Sequence, residues 1–205
     1  MEQRARVGPP MTEAEYLRFE AAATVKHEFV AGEVYAMSGV TRRHARIVTN
    51  LIIRLGTAAR GSRCQVIATD VKLRVASDRI YYPDVMVVCT PGSDDDLVLR
   101  DPCLVVEVTS PSTARIDRGE KLDAYRGVAS LRAYLVVDHR QRRVERHWRD
   151  DAGRWQRAEV TGEGSVPIPC PETALTLAEI YEGVELLAVR EEAGEAYDTA
   201  VASEA

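Results

Sequence analysis

The chain has 205 residues, 45% of them hydrophobic, enough apolar material for one globular domain with a real core. Its formal charge of −5 lies in residues 191–205, where five acids stand without a base. The neutral remainder gives no large electrostatic signature for nucleic acid, so any such contact must be local. No apolar run approaches the roughly 20 residues of a membrane span. The opening MEQRARVGPP has no apolar signal core, so a soluble cytoplasmic protein is expected.

In chain order, Thr12 and Glu15 form a capping-box pattern that predicts a short helix in MTEAEYLRFEAA. KHEFVAGEVYAMSG predicts a hairpin around an Ala-Gly turn. Ile47, Leu51 and Leu55 recur at spacing four, and Gly61 closes the run, which predicts an amphipathic helix. CQVIATDVKLRVA, IYYPDVMVV and CLVVEVTS each read as a strand, the last two separated by the polar loop CTPGSDDDLVLRDP. TARIDRGEKLDAYRGV is helical in character and LRAYLVVD is a strand. RRVERHWRDDAGRWQRAEV reads as two strands around an Asp-Ala-Gly turn, and TLAEIYEGVEL as a short closing helix. There is no internal repeat and no linker. The expectation is one α/β domain over residues 11–187, followed by a flexible acidic tail over 188–205.

The cysteines stand at 64, 89, 103 and 170, with no CxxC pair, so a structural zinc site is not expected. Cys89 and Cys103 lie in apolar runs and read as small hydrophobes, with all four thiols reduced.

Glu107 raises the functional question, because it interrupts the apolar run CLVVEV. An ionised carboxylate taken out of water costs several kcal/mol unless it has a partner. If PDVMVVC and CLVVEV pair antiparallel with Cys89 near Pro102, Asp84 falls opposite Glu107 on one face. Val85, Val87, Leu104, Val106 and Val108 then line the other face. Two carboxylates that close repel unless one is protonated or a cation lies between them. Magnesium fits such a pair, since it takes one or two protein carboxylates and completes its shell with water and phosphate. The register is assumed, and one residue of slip would separate the two into ordinary solvated strand ends.

The same residues carry a resemblance. A Pro-Asp in one strand and a Glu in the next resemble the PD-(D/E)XK nuclease superfamily. HEFVAGEVYAMSG, RRHARIV, YYPDVMVV, LVVEVTSPST, DRGEKLDAYR and SLRAYLVVD, in that order, resemble its Uma-two family, small bacterial proteins described as restriction endonucleases. The likeness covers roughly residues 11–187. It implies a restriction-endonuclease-like fold: a mixed central β-sheet flanked by helices, here with an N-terminal helix and hairpin. It also implies a metal-dependent endonuclease acting on DNA. Asp84, Glu107 and the Val108 carbonyl would hold magnesium, with manganese as substitute, and a homodimer is plausible because two strands are to be cut. The superfamily lysine belongs two residues after the glutamate, where this chain has Thr109. Lys121 matches the position to which the lysine migrates in similar families, and it is one of only three lysines among 27 basic residues.

Each candidate has a plainer reading. Lys121 and Asp117 are four apart and would make an ordinary exposed helix pair. Glu28 is either a third acid near the metal or a hairpin partner. His44 beside Arg42, Arg43 and Arg46 either meets a phosphate or, the default reading, lies on a solvated helix face. Asp70 is equally ambiguous. Arg142, Arg143, Arg146 and Arg149 with Trp148 either grip a DNA backbone or line the wet face of a hairpin. The runner-up function is a catalytically silent module that keeps the scaffold for binding nucleic acid or protein.

Overall fold

A computed structural model describes residues 5–68, 70–90, 92–110 and 113–186. The acidic tail expected to be flexible lies outside the described residues. Thr12 and Glu15 do form a reciprocal capping box, which opens helix α1 (Glu13–Ala22). Strands β1 (His27–Val30) and β2 (Glu33–Ala36) follow. They are joined by Ala31 and Gly32 at φ of 52° and 85°. A two-residue turn with both φ positive matches the twist of the strands it joins. Helix α2 (Arg42–Ala59) begins where the Thr41 hydroxyl accepts from the His44 N–H, and it buries Ile47, Val48, Leu51 and Leu55.

Two segments expected as single strands each break in two. CQVIATDVKLRVA becomes β3 (Gln65–Ala68) and β4 (Lys72–Ala76), and IYYPDVMVV becomes β5 (Arg79–Tyr81) and β6 (Val85–Val88). In both cases the chain leaves one sheet for another. Pro83, with no N–H to donate, sits at the second crossing. The polar loop contains the short β7 (Val98–Leu99), and β8 (Leu104–Thr109) follows it. The predicted helical stretch is two helices, α3 (Ala114–Asp117) and α4 (Glu120–Arg126). Next come β9 (Ala133–Asp138), β10 (Arg143–Arg149) and β11 (Trp155–Thr161). A hairpin of β12 (Ser165–Pro169) and β13 (Glu172–Thr176) precedes α5 (Leu177–Ile180). That hairpin is absent from the sequence reading, because the prolines of SVPIPCP argue against a strand; its two strands pair only with each other.

The central sheet has the order β11-β10-β9-β8-β6-β3, antiparallel except for β8 beside β9. The second sheet has the order β2-β1-β5-β4-β7, with β4 and β7 parallel. β8 is buried on both faces. Leu104, Val106 and Val108 pack with α2, the β12–β13 hairpin and α5. Val105 packs oppositely, against Leu73 and Tyr81 of the second sheet and Leu122 and Tyr125 of α4. Each large apolar side chain buried this way contributes about 1.5–3 kcal/mol. A one-residue slip would turn all of them over, so the register is firmly set.

The cysteines depart from expectation. Cys64 is joined to Cys89 and Cys103 to Cys170, leaving no free thiol among the described residues. The pairing of Gln65 with Val88 puts Cys64 opposite Cys89, a neighbourhood that the sequence spacing hides.

Candidate active site

The ladder between β6 and β8 pairs Val85 with Val106, Met86 with Val105 and Val87 with Leu104. Continued by one step, this register sets Asp84 opposite Glu107, as the sequence analysis assumed. Asp84 lies just before β6, where the backbone ladder has ended, and its side chain makes the bond to the neighbouring strand β8 instead. Its Oδ2 accepts the Val108 N–H at 2.7 Å and lies 3.2 Å from His44 Nε2. In a strand the N–H and C=O of one residue point to the same side. The Val108 carbonyl therefore faces the Asp84 side of β8, beyond the last β6 pair.

Glu107 shares its face with Val105 and is 4% exposed. Its Oε1 accepts from Lys121 Nζ at 3.0 Å and from the Tyr125 hydroxyl at 2.8 Å. Lys121 and Tyr125 stand one helical turn apart on the buried face of α4. The same ammonium lies 2.9 Å from Glu28 Oε1, on β1 of the second sheet, and 3.7 Å from Asp117 Oδ1. It also sits 5.5 Å from the centre of the Tyr81 ring. Both sheets and two helices thus contribute to one cluster, in which Glu28, Glu107 and Asp117 gather round Lys121 and Asp84 stands beside them on His44 and the Val108 N–H. They line a cavity of about 610 Å³ together with His44, Val108 and His139.

Four carboxylates against one buried ammonium and the exposed Arg140 leave a deficit of positive charge, and protonation responds to it. Burial, the largest influence, pushes the Glu107 carboxyl up to about 8. Lys121 opposes the rise, while Asp117, Asp84 and Glu28 reinforce it. Asp117 is raised as well, by burial first, against the pull of Lys121 and a hydrogen bond from Thr113. Burial likewise lifts the Tyr125 phenol well above its ordinary range, so it stays a donor to Glu107. Burial lowers His139, leaving its imidazole neutral at pH 7.

Two plain readings are corrected here. His44 is not on a solvated face: it is buried and directed at Asp84, since it falls on the buried stripe of α2 with Ile47, Val48 and Leu51. Lys121 does pair with Asp117, but in the interior, and more loosely than with Glu28 or Glu107. The basic stretch on β10 is largely spoken for. Arg143 bonds Glu145, Arg149 donates to the backbone of Leu131, Arg126 and Gly153, and Arg146 lies over the Trp148 ring. Asp70 pairs with Lys26. Thr109 is buried, its hydroxyl donating to the Ser110 carbonyl. Sequence reasoning missed Tyr125, although its spacing of four from Lys121 was the available signal, and it did not single out His139.

This architecture is a nuclease-like α/β fold. The crystal structure of "a putative nuclease" from Anabaena variabilis superposes with a TM-score of 0.70 over 84% of this chain and 98% of that one, at 14% identity. The chain belongs to the Uma2 (Uma-two) family, described as "Putative restriction endonuclease", whose profile matches residues 13–179. An "uncharacterized protein" of Synechocystis is 33% identical over 159 residues, 76% of this chain and 90% of that protein. A second from the same organism is 34% identical over 149 residues, 72% and 78% of the two chains.

Proposed function

We propose that the chain is a metal-dependent endonuclease that hydrolyses phosphodiester bonds of DNA at the Asp84–Glu107 cluster. The observation that carries the reading is the charge imbalance of the cavity, where four carboxylates meet one buried ammonium and the exposed Arg140. Carboxylates and a backbone carbonyl are hard oxygen donors, the set that suits magnesium or manganese. Among the described residues the hydrogen bonds of Asp84 fall on Oδ2 and those of Glu107 on Oε1, which leaves Oδ1 and Oε2 to offer. With the Val108 carbonyl, these would hold the ion. A bound divalent ion polarises a phosphate oxygen and lowers the pKa of its water.

The chain's own groups do the rest. His44 and the Val108 N–H fix the Asp84 carboxylate from two sides. Tyr125 orients Glu107 through a hydroxyl that keeps its proton. Lys121, held by Glu28 and Glu107, presents the ammonium that neutralises charge developing on the phosphate. It takes the part that Thr109 cannot. Cutting both strands with one site per chain calls for two chains, so a homodimer belongs to the proposal.

A second reading, a scaffold that binds nucleic acid or protein without cutting, is favoured by Thr109 at the usual lysine position. Plasmid nicking in magnesium or manganese separates the two. The nuclease reading expects nicking that is lost in Asp84→Asn and Glu107→Gln. DNA binding without nicking by the native chain would favour the scaffold.

A further inference from the structure

The end of the central sheet opposite the carboxylates carries a second cluster. Cys103 directly precedes β8, four residues before Glu107, which at about 3.3 Å per residue is roughly 13 Å away. Cys64 precedes β3 and Cys89 follows β6, facing one another across adjacent strands. Cys170 sits in the turn between β12 and β13. Four segments far apart in sequence thus bring four sulfurs to one corner.

Three of these sulfurs form one group, and the fourth, of Cys64, is bonded to it. The Sγ atoms of Cys89 and Cys103, which belong to different disulfides, are 3.3 Å apart. The sulfurs of Cys89, Cys103 and Cys170 all lie within 4.8 Å of one another, and Cys64 is bonded to Cys89. Tetrahedral zinc with bonds of about 2.3 Å to four thiolates sets its sulfurs about 3.8 Å apart. The Cys89, Cys103 and Cys170 sulfurs lie within reach of one such centre, and reduction of the Cys64–Cys89 and Cys103–Cys170 bonds frees each pair to part to that spacing. Two independent structural disulfides have no reason to touch, whereas a single tetrahedral centre requires it. Cys103 and Cys170 are buried. All four cysteines line an open cleft of about 480 Å³, through which an ion or reductant can enter.

We propose that the reduced forms of Cys64, Cys89, Cys103 and Cys170 bind one zinc ion as a tetrathiolate. From the disulfide form, each S–S bond takes up two electrons and two protons from a thiol or phosphine reductant, which is oxidised in turn. Zinc then displaces four protons from the four thiols. The ion clamps β3, β6, β8 and the β12–β13 turn together, at a place where the sequence offers no CxxC signal because the ligands meet only through strand register. The site is independent of the carboxylate cluster, and so is its test.

The experiment is a cobalt(II) titration of the full chain, reduced with a phosphine under anaerobic conditions. One equivalent should give the intense visible bands and the sulfur-to-cobalt charge-transfer band of a tetrahedral tetrathiolate, and zinc should abolish them. Cys103→Ser and Cys170→Ser should each lose the four-sulfur spectrum, while Asp84→Asn should keep it. Zinc should also raise the melting temperature of the reduced protein by several degrees, reversed by a chelator. Only a weak octahedral cobalt spectrum from the reduced native chain would overturn the proposal, even if the serine variants fail to fold. An unchanged spectrum in either folded serine variant would overturn it too.

Discussion

Glu107 and Glu145 stand in the same row of the central sheet, each directly opposite Val136 of β9. Both are nearly inaccessible to solvent. Glu145 is surrounded by guanidinium groups: Arg118 bonds it, Arg143 lies at 3.2 Å and Arg157 at 2.9 Å. Burial pushes its carboxyl up, but hydrogen bonds from Arg118 and Arg157 outweigh that and leave it below the ordinary value. Glu107 must share one ammonium with Glu28 and Asp117, and its carboxyl is pushed up to about 8. Residues of α3 separate the two environments, since Asp117 turns to Lys121 and the adjacent Arg118 to Glu145. A buried glutamate with surplus cations is a structural tie. One with too few is where the proposed function sets a cation that the chain does not supply.

The largest expected effect follows directly. Glu107→Gln should lower plasmid nicking by about 100-fold or more, the scale seen when a group stabilising transition-state charge is removed. Glu145→Gln should leave nicking within a few-fold of the native rate. Equal losses in both would erase the distinction. Lys121→Arg keeps the charge but replaces a compact ammonium with a planar fork that cannot fit between three carboxylates. Nicking should fall nearly as far as in Lys121→Ala, with folding intact by circular dichroism. Full activity in Lys121→Arg would make the residue a packing element only.

Stability should reverse the order. Glu145→Ala leaves three arginines facing one another, and because they are partly exposed the loss should be about 1–3 kcal/mol. For a chain of this size that lowers the melting temperature by roughly 3–10 °C, readable by calorimetry.

A smaller effect lies in the pH profile of metal-free protein. The folded Glu107 carboxyl binds a proton between 4.5, its ordinary value, and about 8, where the unfolded chain has lost it. Its contribution is therefore complete below about pH 4.5 and disappears as pH rises through 8. Thermal unfolding in chelator should show stability declining across that window. The decline should be shallower in Glu107→Gln, with the raised Asp117 supplying the remainder. An identical slope in both proteins would mean that Glu107 is already ionised.

Much of this contrast was legible in the sequence, and what was hidden has physical reasons. The capping box, the Ala31-Gly32 turn and the apolar stripe of α2 are local signals, and the structure follows them. The opposition of Asp84 and Glu107 followed from an assumed register between two apolar strands, and the observed ladder has that register. The break at Tyr82–Asp84 was not legible, since IYYPDVMVV is apolar on both sides of Pro83 and reads as one run while crossing between sheets. Glu28, Asp117 and the four cysteines were ambiguous or misread because their partners lie far off in sequence and meet only through tertiary packing.

The central claim, that the unbalanced carboxylates form a divalent-cation site, is tested most directly by calorimetric titration of manganese into zinc-free protein at pH 7. The account predicts one weak site whose binding releases close to one proton, read from the dependence of the heat on buffer, because the ion requires Glu107 ionised. That site should vanish in Asp84→Asn and Glu107→Gln and persist in Glu145→Gln. Binding unchanged in the first two variants, or no binding by the native chain, would contradict it.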